Sequence, residues 1–220
     1  GETYENIRTN VKNNLFSKVD SQGINNSSIH ILEALLRLRQ AACHTSLVLK
    51  NEPQGESGKL QSLLSMIEEV ISENHKALVF SQFRQMLHII EAELKSRNIP
   101  YFYLDGTTNN RGEVVTNFQN HEKPCVFLIS LKAGGVGLNL TSAEYVFVFD
   151  PWWNPAVEMQ AIDRAHRIGQ TKTVFAYRMI SQNSVEEKIM LLKERKKNIA
   201  DKIISSEKSL IQELTREDLE

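Results

Sequence analysis

Short apolar runs alternate with amphipathic helical segments through most of the sequence after residue 76. Five runs have the length and composition of buried strands, at 77–80, 101–104, 125–129, 145–149 and 173–180. Helical patterns occupy 82–97, 111–119, 155–168 and 185–204. Strands that alternate with helices form a parallel sheet covered on both faces, so this part of the chain is predicted to be α/β.

The chain before the first strand is predicted to be helical. Apolar residues recur at helical spacing after Ser27-Ser28, with a polar side made of Arg37, Arg39 and Gln40; the apolar positions are Ile29, Leu32, Leu35, Leu36 and Leu38. A contact arm and a helical hairpin packed on its neighbour both fit this pattern. The predicted divisions are a helical segment at 1–50, a linker at 51–58, an α/β lobe at 59–183, and a helix with an acidic tail at 184–220.

Polar and glycine-rich segments directly follow four of the predicted strands, beginning at Ser81, Asp105, Ser130 and Asp150. Since ligands bind beyond the carboxyl ends of parallel strands, these segments are expected along one functional edge. The segment from Ser130 to Gly137 has three glycines, which allow close approach of the backbone to phosphate oxygens. A tight turn that needs positive φ fits the same glycines.

The predicted helix at 155–168 combines a cationic edge with an apolar side. Gln160, Arg164 and Arg167 fall at i, i+4 and i+7 and share one face, and guanidinium groups bind phosphate oxygens bidentately. Asp163 lies one turn before Arg167, so an ordinary surface ion pair is the alternative interpretation. The position of the helix after the strand-end segments favours a phosphate site.

Composition bounds the function. The net charge of −1 gives the chain no global field for nucleic acid, so any DNA contact must be local. No apolar run approaches the length of a membrane span, and we expect no membrane partner. Cys43 and Cys125 lack the spacing of a zinc site or a disulfide framework, which indicates a reduced compartment and predicts no metal.

The strand-end segments, taken in order, resemble motifs four to six of the Swi/Snf helicase-like ATPases of superfamily two. The resemblance covers about residues 57–190 and is carried by Ala77-Leu-Val-Phe-Ser-Gln82, Leu104-Asp-Gly-Thr-Thr108 with Arg111, the segment 128–141, Asp150-Pro-Trp-Trp-Asn-Pro155 and the segment 160–170. Arg37 to Gln40 and Cys43-His44 extend it upstream. It implies the second RecA-like lobe of a motor that translocates along double-stranded DNA, with a C-terminal brace helix.

The resemblance also implies roles for individual residues in ATP hydrolysis. Arg164 and Arg167 resemble arginine fingers that reach the γ-phosphate of ATP, and Gln160 orders the same motif. Gly135, Gly137 and Asn139 resemble the loop that couples nucleotide state to DNA contact, and Asp163 belongs to the nucleotide side.

For DNA, the resemblance points to five residues near the ends of the strands: Ser81, Gln82, Lys132, Thr141 and Trp153. Trp152 and Trp153 also fit hydrophobic anchors, because tryptophan often fills the edge of a core. Two positions depart from the usual family pattern: Thr45 replaces proline and Thr107 replaces serine.

The sequence contains no Walker lysine loop and no Asp-Glu-x-His magnesium site, both of which phosphoryl transfer requires. The resemblance therefore implies that ATP with magnesium binds mainly to an N-terminal ATPase lobe of the same polypeptide. The sequence begins at Gly1 without methionine, and we expect it to be part of a longer protein that is inactive as a fragment.

Two other functions remain compatible with the residues. A strand-separating helicase would use the same lobe, and the helices at both ends could form a regulatory or protein-interaction module. The substrate is open among histones, a stalled polymerase and another DNA-bound protein. A composition rich in Asn, Lys and Ile favours a bacterial cytoplasm and nucleoid, with a nucleus expected if the source is eukaryotic.

Overall fold

A computed structural model describes residues 4–23, 27–49, 57–134, 138–151, 159, 162–163, 165 and 172–197. The chain divides into two compact units, one of Gly1–Ser57 with Ser181–Glu220 and one of Gly58–Ile180. The second unit holds the sheet, and its described elements follow in chain order. They are α3 Gly58–Ser72, β1 Ala77–Ser81, α4 Arg84–Ser96, β2 Tyr101–Leu104, α5 Arg111–Asn120, β3 Val126–Ser130, α6 Leu131–Gly134, β4 Tyr145–Val148 and β5 Phe175–Arg178.

The sheet has five parallel strands in the order β2-β3-β1-β4-β5. Its central strand pairs on both sides, so that Val79 lies opposite Leu128 of β3 and Phe147 of β4. The predicted parallel α/β fold is therefore confirmed. All five predicted strands form, although the last one is shorter than the run that predicted it.

Both faces of the central strands are buried. On one face Leu78, Phe127 and Val146 join a core cluster with Phe118 of α5. The alternate residues Val79, Leu128 and Phe147 are also fully buried, because successive side chains of a strand point to opposite faces. The edge strand β5 differs, since all four of its residues are exposed.

Asparagine residues end two of the helices that precede strands. Asn74 follows α3 with φ of 63°, and Asn98 follows α4 with φ of 55°. Asparagine tolerates this left-handed conformation better than most residues, and the amides after it bond back to the last helical turn. His75 N donates to Val70 O at 3.0 Å, and Ile99 N donates to Leu94 O at 2.9 Å. Both helices therefore stop where the chain must turn into the sheet.

The other unit is helical, with α1 Tyr4–Gln22, α2 Ser28–Cys43, a 3-10 helix Thr45–Leu47 and α7 Val185–Lys197. Segments far apart in sequence meet in it: the Val185 amide donates to the Tyr4 hydroxyl at 2.8 Å, and the Ser181 hydroxyl donates to Ala42 O at 2.9 Å. Side chains cap the start of α7, where Ser184 Oγ accepts from Glu186 N and Glu187 Oε2 accepts from Asn183 N.

The prediction for the two sides of α2 was partly wrong. Arg39, assigned to the polar side, is only 2% exposed, whereas Ile29 is 77% and Leu36 43% exposed. The reason is that α2 packs against both α1 and α7. A helix with two neighbours buries more than one stripe, which a single amphipathic pattern does not describe.

Candidate functional site

Four strand-end segments lie along the carboxyl edge of the sheet. Asp105 follows β2, Ser130 ends β3, Gln82 follows β1 and Asp150 follows β4. These four strands are consecutive neighbours in the sheet, and all are parallel. The topology therefore brings the segments to one edge, as the alternation of strands and helices predicted.

The ends of β1 and β4 are tied together at this edge. Gln82 N donates to Asp150 Oδ2 at 2.9 Å, and Phe149 N donates to Phe80 O at 2.9 Å. Ser81 is fully buried, and its hydroxyl accepts from Phe83 N at 3.1 Å. In this conformation Ser81 shapes the turn, while Gln82 is partly exposed. Their contacts with DNA stay predictions.

Asp105 is the centre of the hydrogen bonds that follow β2. Its Oδ1 accepts from both the amide and the hydroxyl of Thr107, at 2.8 and 2.7 Å. Its Oδ2 accepts from the Tyr103 hydroxyl at 3.1 Å and pairs with Arg84 Nε at 2.8 Å. The Asp105 side chain is 2% exposed, and its amide donates to Thr108 Oγ1 at 3.0 Å.

This arrangement displaces two pKa values in opposite directions. Burial by itself would raise the pKa of Asp105, but the hydrogen bonds from Thr107 and Tyr103 and the charge of Arg84 bring it down to about 2. Burial and the neighbouring Asp105 carboxylate raise the pKa of Tyr103 to about 12. Asp105 is therefore ionised, and Tyr103 protonated, throughout the physiological range.

Replacing Asp105 by asparagine should flatten the acid dependence of the stability of the sheet unit. The folded carboxyl titrates near pH 2 and an unfolded one near pH 4, so its contribution is complete above about pH 4. That contribution is lost as the pH falls from about 4 towards 2. Urea unfolding midpoints measured through this range should converge between wild type and Asp105→Asn at low pH.

Tyr103→Phe provides an intermediate case, because it removes one of the hydrogen bonds to Asp105 and leaves the carboxylate. We expect its midpoints to lie between those of the other two proteins above pH 4. If the urea midpoints of wild type and Asp105→Asn changed in parallel with pH, the acid dependence could not be assigned to this carboxyl.

Arg84 and Arg111 place positive charge beside the buried Asp105. The Arg84 side chain is 53% exposed although it pairs with the carboxylate, and Arg111 Nη2 donates to Gly106 O at 3.4 Å. The resemblance pointed to Arg111, whereas sequence reasoning missed Arg84 and Tyr103. Arg84 opens α4, so only the packing of this helix on the sheet reveals its contact with Asp105. Tyr103 lies only two residues before Asp105, at the spacing that puts both side chains on one side of an extended chain.

The glycine-rich segment after β3 starts with the short helix α6. Ala133 N donates to Ser130 Oγ at 3.3 Å, and the side chains of Leu131 and Ala133 are buried. Lys132 between them is exposed, as is Asn139 further on. Their side chains are thus accessible to a ligand. Gly135 and Gly137 lie outside the described residues.

Thr141 lies at the opposite end of the strands, along the amino edge of the sheet. It precedes β4, and its hydroxyl accepts from Gln119 Nε2 at 3.2 Å. The segment that begins at Ser130 on the carboxyl edge has therefore returned to the amino edge before it reaches Thr141. The structure does not bring Thr141 together with Gln82 and Lys132, and its contact with DNA stays a prediction.

Most of the predicted arginine helix lies outside the described residues, including Gln160, Arg164 and Arg167, and so does Trp153. Of the neighbouring positions, Ala165 is fully buried in the core cluster and Ile162 packs against it. Asp163 is exposed. The predicted apolar side of this segment thus meets the core at Ala165, while the roles of its polar residues stay predictions.

No three His, Cys, Asp or Glu residues in the described ranges are grouped so that they could hold a metal ion. None of the helices described above combines the length and apolar character that a membrane crossing requires.

Comparisons with known proteins identify the family. Residues 58–169 match the model of the helicase conserved C-terminal domain. An uncharacterized ATP-dependent helicase of Mycoplasma pneumoniae is 41% identical over 198 residues, which are 88% of this chain and 19% of that protein. The chain therefore spans about a fifth of the length of this relative.

Two solved structures from Sulfolobus solfataricus have the same fold. The SWI2/SNF2 ATPase core in complex with dsDNA superposes with a TM-score of 0.79 at 37% identity, covering 98% of this chain and 46% of that one. The SWI2/SNF2 ATPase C-terminal domain gives 0.77 at 34% identity, covering 98% of this chain and 90% of that one. The chain belongs to the Swi/Snf family of superfamily-two helicase-like ATPases, and it is the C-terminal RecA-like lobe of that family.

Proposed function

We propose that this chain is the second lobe of an ATP-dependent motor that translocates along double-stranded DNA. The observation that carries the proposal is the carboxyl edge of the sheet, where exposed cationic side chains, Arg84 and Lys132, stand on a buried, hydrogen-bonded frame. Exposed cations on a rigid frame suit a phosphate backbone. The related Sulfolobus core in complex with dsDNA supports the same ligand.

In this proposal the lobe completes an ATP site without holding the nucleotide alone. Arg164 and Arg167 stabilise the charge that develops on the γ-phosphate, because guanidinium forks suit its oxygens and keep their charge. Gln160 and Asp163 order that segment. ATP with magnesium supplies the transferable phosphoryl group and is held mainly by an N-terminal lobe of the same polypeptide. The isolated chain does not hydrolyse ATP, since its sequence has no Walker motifs.

DNA contact is assigned to the same edge. Lys132 and Gln82 meet the backbone, and Trp153 meets the backbone or the minor groove. Gly135, Gly137 and Asn139 transmit the nucleotide state to this contact. Backbone contacts give little sequence preference and strong salt dependence. The motor would therefore move on any duplex, and a DNA-bound protein such as a polymerase or a histone would be what it displaces.

The complete protein should hydrolyse ATP faster with duplex DNA and should displace the third strand of a DNA triplex without opening the duplex. Third-strand displacement reports movement along a duplex, and a forked substrate reports strand separation. Opening of the fork without displacement from the triplex would favour the strand-separating alternative and contradict the proposal.

Alanine variants of two exposed lysines distinguish a specific contact with the DNA backbone from a general effect of net charge on binding. Lys132→Ala should weaken duplex binding by the complete protein and reduce the slope of log K against log salt by about 0.9, the value for one phosphate contact. Lys123→Ala is the matched control, because Lys123 is also exposed but lies at the amino edge, just before β3. Fluorescence anisotropy between low and moderate salt measures both. Equal slopes for the two variants would remove Lys132 from the interface.

A further inference from the structure

A cavity of about 330 Å³ opens at the amino edge of the sheet, opposite the edge to which the ATP and DNA contacts are assigned. It lies wholly within the sheet unit. Its lining includes residues just before the strands, since Lys76 directly precedes β1 and Glu144 directly precedes β4. The volume is near the lower end of the range for small-molecule pockets in proteins. The cavity can therefore hold a compact ligand.

Positive charge exceeds negative charge in the lining of this cavity. The charged side chains are three lysines and two glutamates: Lys76, Lys123, Lys172, Glu122 and Glu144. Glu144 is buried, and its carboxylate already accepts from Lys172 Nζ and from Lys76 N. Glu122 and Lys123 are exposed neighbours of opposite charge. The charge that these pairs leave is the ammonium group of Lys76, which suits an anionic ligand.

Hydrogen bonds bring Lys76 and His121 together at the end of α5. Lys76 Nζ donates to Phe118 O at 2.9 Å, and His121 N donates to the same oxygen at 3.3 Å. Lys76 Nζ also donates to Gln119 O at 3.5 Å. These bonds satisfy carbonyl groups at the end of the helix, which would otherwise disfavour an anion. The third N–H of the ammonium group has no oxygen or nitrogen acceptor among the described residues, so it can donate to a ligand.

Two buried polar atoms of the same lining lack a hydrogen-bond partner within the described part of the chain. They are His121 Nε2 and Ser142 Oγ. Ser142 is held in place through its backbone, because its amide donates to Gln119 Oε1 at 3.0 Å. A buried polar atom without a partner is unfavourable, so each of these atoms requires an acceptor or donor in the cavity. With Lys76, they make three groups that can donate to one ligand.

We propose that this cavity binds the phosphate group of a small molecule through Lys76, His121 and Ser142. A phosphate group has three terminal oxygens, one for each donor, whereas a carboxylate has two. Water would satisfy the two neutral side chains, but an anion also suits the ammonium group. The site does not depend on the function proposed above, because no residue that was assigned there to ATP or DNA lines the cavity.

Titration of the chain with inorganic phosphate, followed through amide chemical shifts, tests the site. The amides of Ser142 and Glu122 should shift along one saturable curve, and that of Lys132 on the carboxyl edge should not. Ser142→Ala should weaken binding about tenfold or more, as expected for a hydrogen bond to a charged group. Without phosphate this variant should be at least as stable as wild type, since it removes a buried hydroxyl that has no partner. Lys95→Ala, which removes an exposed lysine of α4, is the control for net charge.

The same titration with glycerol 3-phosphate distinguishes the source of the phosphate group. Tighter binding of the ester than of inorganic phosphate identifies a phosphorylated small molecule as the ligand, and equal or weaker binding identifies free phosphate; both results support the site. Acetate that binds as tightly as phosphate would overturn the assignment to phosphate. The absence of a saturable shift at Ser142, or equal affinity in wild type and Ser142→Ala, would overturn the site itself.

Discussion

Replacing Arg167 by alanine in the complete protein should lower DNA-stimulated ATP turnover about a thousandfold or more, the usual contribution of an arginine finger. The charge on the γ-phosphate oxygens grows in the transition state, so the loss should appear in kcat rather than in the KM for ATP. Arg164→Ala should behave in the same way. Single-turnover hydrolysis with saturating ATP and duplex DNA measures the step directly.

Two comparisons make this expectation specific. Arg167→Lys should not restore the rate, because an ammonium group lacks the planar fork of guanidinium. Arg97→Ala should leave the rate near wild type, since Arg97 follows α4 and pairs with Glu68 and Glu93 on the surface of the same unit. Turnover near wild type in both Arg164→Ala and Arg167→Ala would exclude them as fingers.

Replacing Phe118 by alanine should destabilise the sheet unit by about 3–5 kcal/mol. Its ring is fully buried and packs on Phe127 at 4.8 Å and on Phe102 at 5.7 Å between centroids. Lys76 Nζ lies 5.1 Å from the centre of the ring. The truncation would leave a cavity in the core cluster. Hydrogen exchange of β1 and β3 amides measures the effect, because these central strands open only with the whole unit.

Phe175→Ala is the matched control for that substitution. Phe175 lies on the edge strand, is 46% exposed and stacks on Tyr145 with centroids 5.3 Å apart. Losing a cross-strand aromatic pair at an exposed position should cost about 1 kcal/mol or less. Comparable destabilisation by the two variants would contradict the assignment of the core to the α5 side of the sheet.

The sheet was predictable from the sequence because its signal is local. Each central strand is a short apolar run such as Ala77–Ser81, and parallel strands with intervening helices leave few possible arrangements. The carboxyl edge followed from the same reasoning. What alternation could not supply is the order of the strands, which decides that Gln82 meets Asp150 while Asp105 meets Arg84.

Most contacts missed from the sequence join residues on different elements, as Arg84 and Asp105 do. Gln119 looks like an ordinary polar residue at the end of an amphipathic helix, and its hydrogen bonds to Thr141 and Ser142 appear only when α5 lies beside the turn before β4. Arg39 looks like surface charge in the sequence, but it is buried in a helix that packs on two neighbours. Hydrophobic periodicity predicts one buried face of a helix. It therefore gives the wrong burial for residues of a helix that packs against two neighbours. The arginine helix is the opposite case: its pattern is clear in sequence, and its site residues stay predictions.

The helical unit cannot be completed until late in synthesis, because it joins segments from both ends of this sequence. The Tyr4 hydroxyl accepts from an amide 181 residues later, so α1 and α2 leave the ribosome long before α7 exists. At usual rates of synthesis this delay is on the order of ten seconds, ample for the sheet to form first. Throughout that interval the surface of α2 that α7 later covers is exposed to the cell. The nascent chain should therefore be most vulnerable to chaperone capture and aggregation through α2 until Val185 emerges.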